Sequence, residues 1–169
     1  MTPVVVLVGP PGAGKTTVGR ALAERRGLEF RDTDLDVEQA AGKTVHDIFI
    51  EDGEAAFREL ERVAVARALG EHDGVLALGG GAVLDASTRD ALSGHRVVFL
   101  DVGLAAASER VGFNRSRPLL VLNPRSELQR MLTERRPAYE TVASDIVDTN
   151  GRDVEDIVTE IETLLDARG

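Results

Sequence analysis

Short apolar runs alternate along the chain with longer segments whose apolar positions recur every three to four residues. That alternation predicts a parallel α/β sheet, in which each strand is followed by a helix that returns the chain to the same edge. Val4 to Val8, Glu29 to Asp32, Val75 to Leu78, Arg96 to Leu100 and Ile146 to Asp148 read as strands. The first and fourth are almost wholly apolar and rich in β-branched residues, as a strand covered on both faces should be. Helical spacing marks Lys15 to Arg26, Thr44 to Ile50, Glu54 to Leu69, Ser87 to Leu92, Leu104 to Val111, Arg125 to Tyr139 and Val154 to Ala167. Thr44 with Asp47 makes a capping-box start, and Asn123 before Pro124 places a cap ahead of a first-turn proline. No repeat, low-complexity tract or linker interrupts the series, so residues 1–169 read as a single domain.

Composition narrows the picture. A chain of 169 residues that is 43% hydrophobic can bury a core unaided, and it has no cysteine for a disulfide or a Cys-type zinc site. No apolar run approaches the roughly 20 residues needed to cross a bilayer. Met1-Thr2-Pro3 carries no basic stretch ahead of Val4 to Val8, and that run is too short for a secretory core. A cytoplasmic monomer is expected. The net charge of −9 argues against a general nucleic-acid binder, because phosphate backbones reward a basic surface. The charge is unevenly spread, however. Between Arg110 and Arg136 seven arginines (110, 115, 117, 125, 130, 135 and 136) stand against Glu127 and Glu134. Arg125 and Arg130 read as a solvated helix face, whereas the rest of the cluster, near Gly112 and Pro118, is a candidate anion site. The chain has only two lysines, Lys15 and Lys43, so the placement of Lys15 carries weight.

That placement is within Gly9-Pro10-Pro11-Gly12-Ala13-Gly14-Lys15-Thr16, a full G-x-x-x-x-G-K-[ST] motif between an apolar strand and the amphipathic segment Thr17 to Arg26. Glycines let such a loop wrap a phosphate with consecutive N–H groups and the following helix N-terminus. Gly12, Ala13, Gly14, Lys15, Thr16 and Thr17 are therefore the nucleotide-binding candidates. Lys15 would bridge the β- and γ-phosphates of a nucleoside triphosphate, and the Thr16 hydroxyl would ligate Mg²⁺.

Acceptor chemistry has to come from elsewhere. Asp32-Thr33-Asp34 follows the second strand, so its carboxylates project at the carboxyl edge of the sheet, where ligands of open α/β sheets bind. One acid could serve the metal through water and the other a substrate hydroxyl, or either could simply cap the next helix. Arg58 and Glu61, at i and i+3, form either a surface ion pair or a carboxylate-binding arginine held in its rotamer. Gly79-Gly80-Gly81 follows the third strand, and three glycines there imply close approach of a ligand to the backbone. Arg117-Pro118-Leu119-Leu120 falls in a stretch without period, 112–124, bordered by Gly112 and Pro124 as a lid would be. Arg136 ends a helix pattern, where favourable interaction with the helix dipole is the alternative explanation.

Together these residues resemble the shikimate kinases, of the nucleoside-monophosphate-kinase-like branch of P-loop proteins, from Val4 to about Asn150. The phosphate loop is common to a large superfamily. The ordered set Asp32-Thr33-Asp34, Phe57-Arg58 with Glu61, Gly79-Gly80-Gly81, Arg117-Pro118-Leu119-Leu120 and Arg136 is far narrower. The resemblance implies a three-layer P-loop NTPase fold, with a five-stranded parallel sheet in the order 2-3-1-4-5, flanking helices and a lid at about 112–124. It implies an acceptor-binding segment at about 33–61, ATP and shikimate as ligands, and Mg²⁺ as cofactor. By resemblance Asp34 holds the acceptor hydroxyls and takes a proton, Arg58 and Arg136 clamp the carboxylate, and Gly79, Gly80 and Gly81 contribute backbone. Phe49 and Phe57 wall the pocket, Asp32 supports Mg²⁺ through water, Arg117 meets the transferring phosphates, and Arg110 and Arg152 lie on the adenine side. Where many relatives place Ser or Thr just before the triple glycine, this chain has Ala77 and Leu78, which shifts metal support onto Thr16 and Asp32.

A gluconate-kinase-like or nucleotide-kinase-like enzyme on the same scaffold is the nearest alternative, although the triple glycine and the Asp-x-Asp pair favour a cyclic acid. A GTP-dependent switch would need an Asn/Thr-Lys-x-Asp motif, and neither Lys15 nor Lys43 supplies one. A non-catalytic nucleotide-binding module has no use for a carboxylate-binding set.

Overall fold

A computed structural model describes residues 2–103, 106–107 and 124–168. Five parallel strands, β1 (Val5–Val8), β2 (Phe30–Asp32), β3 (Val75–Ala77), β4 (Val97–Asp101) and β5 (Asp145–Asp148), form one sheet in the order β2-β3-β1-β4-β5. The helices are α1 (Lys15–Arg26), α2 (Thr33–Ala41), α3 (Val45–Glu51), α4 (Glu54–Glu71), α5 (Ala86–Leu92), α6 (Pro124–Val142) and α7 (Val154–Arg168), with a 3-10 turn at Ala82–Leu84. Fold class and strand order agree with the expectation from sequence.

The uninterrupted apolar character of β1 has a direct cause. Successive side chains of a strand point to opposite faces. Val5 and Leu7 join a core with Val18 and Leu22 of α1 and Ile157 and Ile161 of α7. Val6 and Val8 join a second core with Val65 and Ala68 of α4 and Tyr139 of α6. Both faces are covered, so neither tolerates a polar residue. A third, smaller core of Val37, Val45, Ile48, Phe57 and Ala64 ties α2, α3 and α4 together beside the carboxyl edge of β2 and β3.

Strand limits shift by a residue at most ends, and α1 has the limits its spacing predicts. One helix was not legible. In α2 only Thr33 and Val37 are buried, whereas Leu35 is 47% exposed, so no apolar stripe marks it. Its start is set instead by Asp32, whose side chain accepts from the Asp34 N–H at 2.9 Å. Thr44 caps α3 as expected, accepting from Asp47 N–H at 3.1 Å.

Candidate active site

At the end of β1 the backbone turns through Gly12 and Gly14, both left-handed at φ 83° and 87°, where a side chain would be strained. Gly14 caps α1 through its backbone alone, and Lys15, Thr16 and Thr17 open the helix. Lys15 Nζ donates to the carbonyl oxygens of Gly9 and Pro10 at 2.6 and 3.0 Å, which folds the ammonium over its own loop.

Thr16 Oγ1 donates to Asp32 Oδ2 at 3.3 Å, linking the loop to β2. Burial is the main cause that raises the Asp32 carboxyl above its ordinary pKa, and the neighbouring charge of Asp34 adds to it. The Asp34 N–H, the Lys15 ammonium and the Thr16 hydroxyl act against that rise. The Lys15 ammonium offsets an ionised carboxylate at this position only in part, and a cation held jointly with the Thr16 hydroxyl would add to it. Hydroxyl and carboxylate oxygens are the donors that hard divalent cations take. Among the described residues no group of three or more His, Cys, Asp or Glu is arranged to hold a metal ion.

The triple glycine explains itself once its neighbours are in place. A Cβ at Gly79 would lie 2.6 Å from Asp34 Oδ1 and 2.7 Å from Glu61 Oε2. At Gly81 it would lie 2.5 Å from both terminal nitrogens of Arg58. At Gly80 it would lie 3.0 Å from Pro11 of the phosphate loop and 3.4 Å from Arg135 Nη1. Each glycine makes room for a different polar group, and the segment adjoins the phosphate loop. Thr33, fully buried, accepts from the Gly79 N–H at 3.3 Å and so fixes the start of α2 to this segment. Arg58 Nη1 donates to Glu61 Oε1 at 2.8 Å, and the Glu61 side chain is only 4% exposed. This is a buried, orienting pair and not a solvated one. The Phe49 and Phe57 rings pack with centroids 4.8 Å apart, and the Arg58 guanidinium lies 5.3 Å from the Phe57 ring.

A donor-side loop and a set of cationic and carboxylate groups therefore meet at one edge of the sheet. The model of the family described as shikimate kinase matches residues 11–166. A shikimate kinase from Salinispora arenicola is 59% identical over 99% of this chain and 100% of its own length. The chain belongs to the shikimate kinase family.

Membership in the shikimate kinase family makes the chain an ATP-using P-loop kinase, and the solved structures agree. Shikimate kinase from Acinetobacter baumannii, determined in complex with shikimate, superposes with a TM-score of 0.94 at 38% identity, over 99% of this chain and 94% of that one. A gluconokinase from Sinorhizobium meliloti reaches 0.61 at 24% identity, over 96% of this chain and 91% of that one; this shows a common fold and does not favour the gluconate alternative. Among the described residues no helix is long and apolar enough to cross a membrane.

Arg136, expected from sequence at the acceptor pocket, has another partner in this structure. Arg136 does not turn to the triple glycine: it forks Asp101 at the end of β4, with nitrogen–oxygen distances of 2.7 and 2.9 Å, and is about half exposed. Arg135 takes the inward place, 8% exposed beside Gly80. Neighbours on a helix point about 100° apart, so both cannot face the same pocket. The signal was available, because Leu128, Met131, Arg135 and Tyr139 form the buried stripe of α6 and Arg136 lies off it. Thr33 is a second residue missed, masked in sequence by its acidic neighbours. Arg152 donates to the Asp148 carbonyl at 2.8 Å and to Glu160 of α7 at 2.6 Å, and neither partner belongs to the phosphate loop. Arg110, Arg115, Arg117 and all of 112–123 lie outside the described residues.

Proposed function

We propose that this protein transfers the γ-phosphoryl group of ATP to the 3-hydroxyl of shikimate, giving shikimate 3-phosphate and ADP, a step towards chorismate and the aromatic amino acids. The observation that carries the reading is the convergence of Asp34, Arg58 and Arg135 on three consecutive glycines that adjoin the phosphate loop through Pro11. Two guanidiniums suit a carboxylate, and a carboxylate suits a hydroxyl. Arg58 and Arg135 fix the acid end of the ring, Asp34 orients the hydroxyl and accepts its proton, and Phe49 with Phe57 wall the pocket. Lys15 moves from the Gly9 and Pro10 carbonyls to the phosphates. Transfer of this kind depends on alignment and charge neutralisation more than on covalent help. Arg117 and Arg110 are assigned by resemblance alone, to the transferring phosphates and to adenine, with 112–124 as lid and about 33–61 as the acceptor segment. The same reading makes the chain a single-domain monomer working in the cytoplasm.

Mg²⁺ fits the donor set described for Thr16 and Asp32, with Asp32 acting through water. When bound, it supplies positive charge to the β- and γ-phosphates. Asp32→Asn keeps the α2 cap, since Asn caps as well as Asp, and removes the charge. It should raise the Mg²⁺ concentration needed for half-maximal rate. It should also raise the melting temperature near pH 7. A carboxyl whose pKa folding raises favours the folded state only while protonated, and that contribution is lost as pH rises through the folded value. The gain should shrink as pH falls through the carboxylate range, and a constant offset at all pH values would remove the burial argument.

A coupled ADP-release assay with shikimate, quinate, gluconate and nucleoside monophosphates tests the function, with shikimate expected to be the preferred acceptor. A preference for gluconate or a nucleotide would overturn it. In the same assay Arg135→Ala should raise the shikimate KM by about 10- to 100-fold, the worth of a charged hydrogen bond, with the ATP KM little changed. Arg136→Ala should raise it by no more than about threefold, since half-exposed ion pairs contribute little. The opposite ranking would return Arg136 to the clamp.

A further inference from the structure

Three consecutive glycines carry no side chains to hold their own conformation, and each has more backbone freedom than any other residue. A site that relies on them must fix them from outside. Thr33 does so at the Gly79 N–H. On the other side stands Tyr139, 1% exposed, whose hydroxyl donates to the Gly80 carbonyl oxygen at 2.5 Å. Its ring packs against Phe99 of β4 at 5.0 Å between centroids. β3 and β4 are the two neighbours of β1, so this one side chain reaches from β4 to the segment after β3, across the strand that leads into the phosphate loop. Tyr139 also lies one helical turn beyond Arg135, on the same stripe of α6. A phenol hydroxyl within an apolar cluster is costly without a partner, which keeps this bond made.

We propose that Tyr139 is a positioning residue for phosphoryl transfer: its hydroxyl locks the Gly80 peptide and, through the turn it shares with Arg135, holds that guanidinium at the acceptor pocket. The inference rests on the reading of Arg135 as part of the carboxylate clamp. Because the peptide is planar and trans, anchoring the Gly80 carbonyl towards α6 directs the Gly81 N–H the opposite way, away from the helix. Loss of the hydroxyl leaves the ring and the apolar contacts in place. What it releases is the orientation of one peptide and one arginine.

The test is Tyr139→Phe, alone and with Arg135→Ala, measured as KM for shikimate, KM for ATP and kcat. Tyr139→Phe should raise the shikimate KM by about 3- to 30-fold, the range for one lost hydrogen bond with a buried acceptor left behind. The ATP KM should stay within about twofold, and the double variant should lose several-fold less than the product of the two single effects. A binding readout that does not need turnover is the rise in melting temperature on adding each ligand. In Tyr139→Phe the rise produced by shikimate should shrink while that produced by ADP is kept, even if the variant is less stable. Equal losses for both substrates would make Tyr139 merely structural and overturn the proposal, as would fully multiplicative effects in the double variant. Wild-type shikimate KM in Arg135→Ala would overturn the clamp reading and the positioning role with it. A raised KM in Arg135→Ala beside an unchanged one in Tyr139→Phe would overturn the positioning role alone.

Discussion

Asp34→Asn should lower kcat by about 10²–10⁴-fold, the usual contribution of a positioned general base, while changing the shikimate KM far less. Asparagine keeps the size and one acceptor oxygen of aspartate, so it can still hold a hydroxyl, but it cannot carry away a proton at neutral pH. The surroundings favour this separation of effects. The Asp34 backbone is pinned by its N–H bond to Asp32 in the first turn of α2, and its Oδ1 lies against Gly79, where no side chain can displace it. Substitution therefore alters charge with little change of place. Single-turnover rates with both substrates saturating are the measurement. Near-normal turnover with shikimate bound would exclude proton abstraction by Asp34 and leave it only the task of orientation.

Lys15→Met should lower kcat by about 10²–10³-fold or more, the loss associated with removing a donor aimed at charge that develops in the transition state. The nucleotide affinity should fall much less, by tenfold or so. Lys15 Nζ already has two carbonyl partners at 2.6 and 3.0 Å, so engaging a phosphate exchanges bonds and gains little in the ground state. The advantage appears as charge builds on the transferring group, where an ammonium answers it and a carbonyl cannot. Comparing the ATP dissociation constant with kcat separates the two effects. Loss of ATP binding with full turnover at saturation would make Lys15 a binding residue alone.

How much of the site can be read from sequence depends on how each part is written in the chain. The phosphate loop is contiguous, from Gly9 to Thr16, and its glycines have a backbone meaning that does not depend on distant residues. The sheet is legible because β1 and β4 are apolar on both faces. Glu61 is harder to place, since an acid three residues from an arginine is usually solvated, and only the packing of α4 against the glycine segment buries it. The choice between Arg135 and Arg136 turns on helix phase: the family resemblance gave the clamp to the second, and the buried stripe of α6 carries the first inward. α2 lacks an apolar stripe and is held by tertiary contact, which a local pattern does not record. Gly79, Gly80 and Gly81 announce a close approach, but not that three separate side chains make it.

The central place of β1 also bears on how fast the sheet can form. β1 comes before the other four strands in the sequence, yet its hydrogen-bonding partners are β3 and β4, the nearer of them beginning at Val75. Contacts this distant along the chain form slowly, because the loop between them must close before any bond repays it. Val5 thus pairs with Val75, far along the sequence, and Arg135 and Tyr139 lie later still. A nascent or truncated chain that ends before α6 lacks the acceptor side as built here, whatever it does with nucleotide. The acceptor side is therefore assembled from segments far apart in the sequence, from Asp34 to Tyr139.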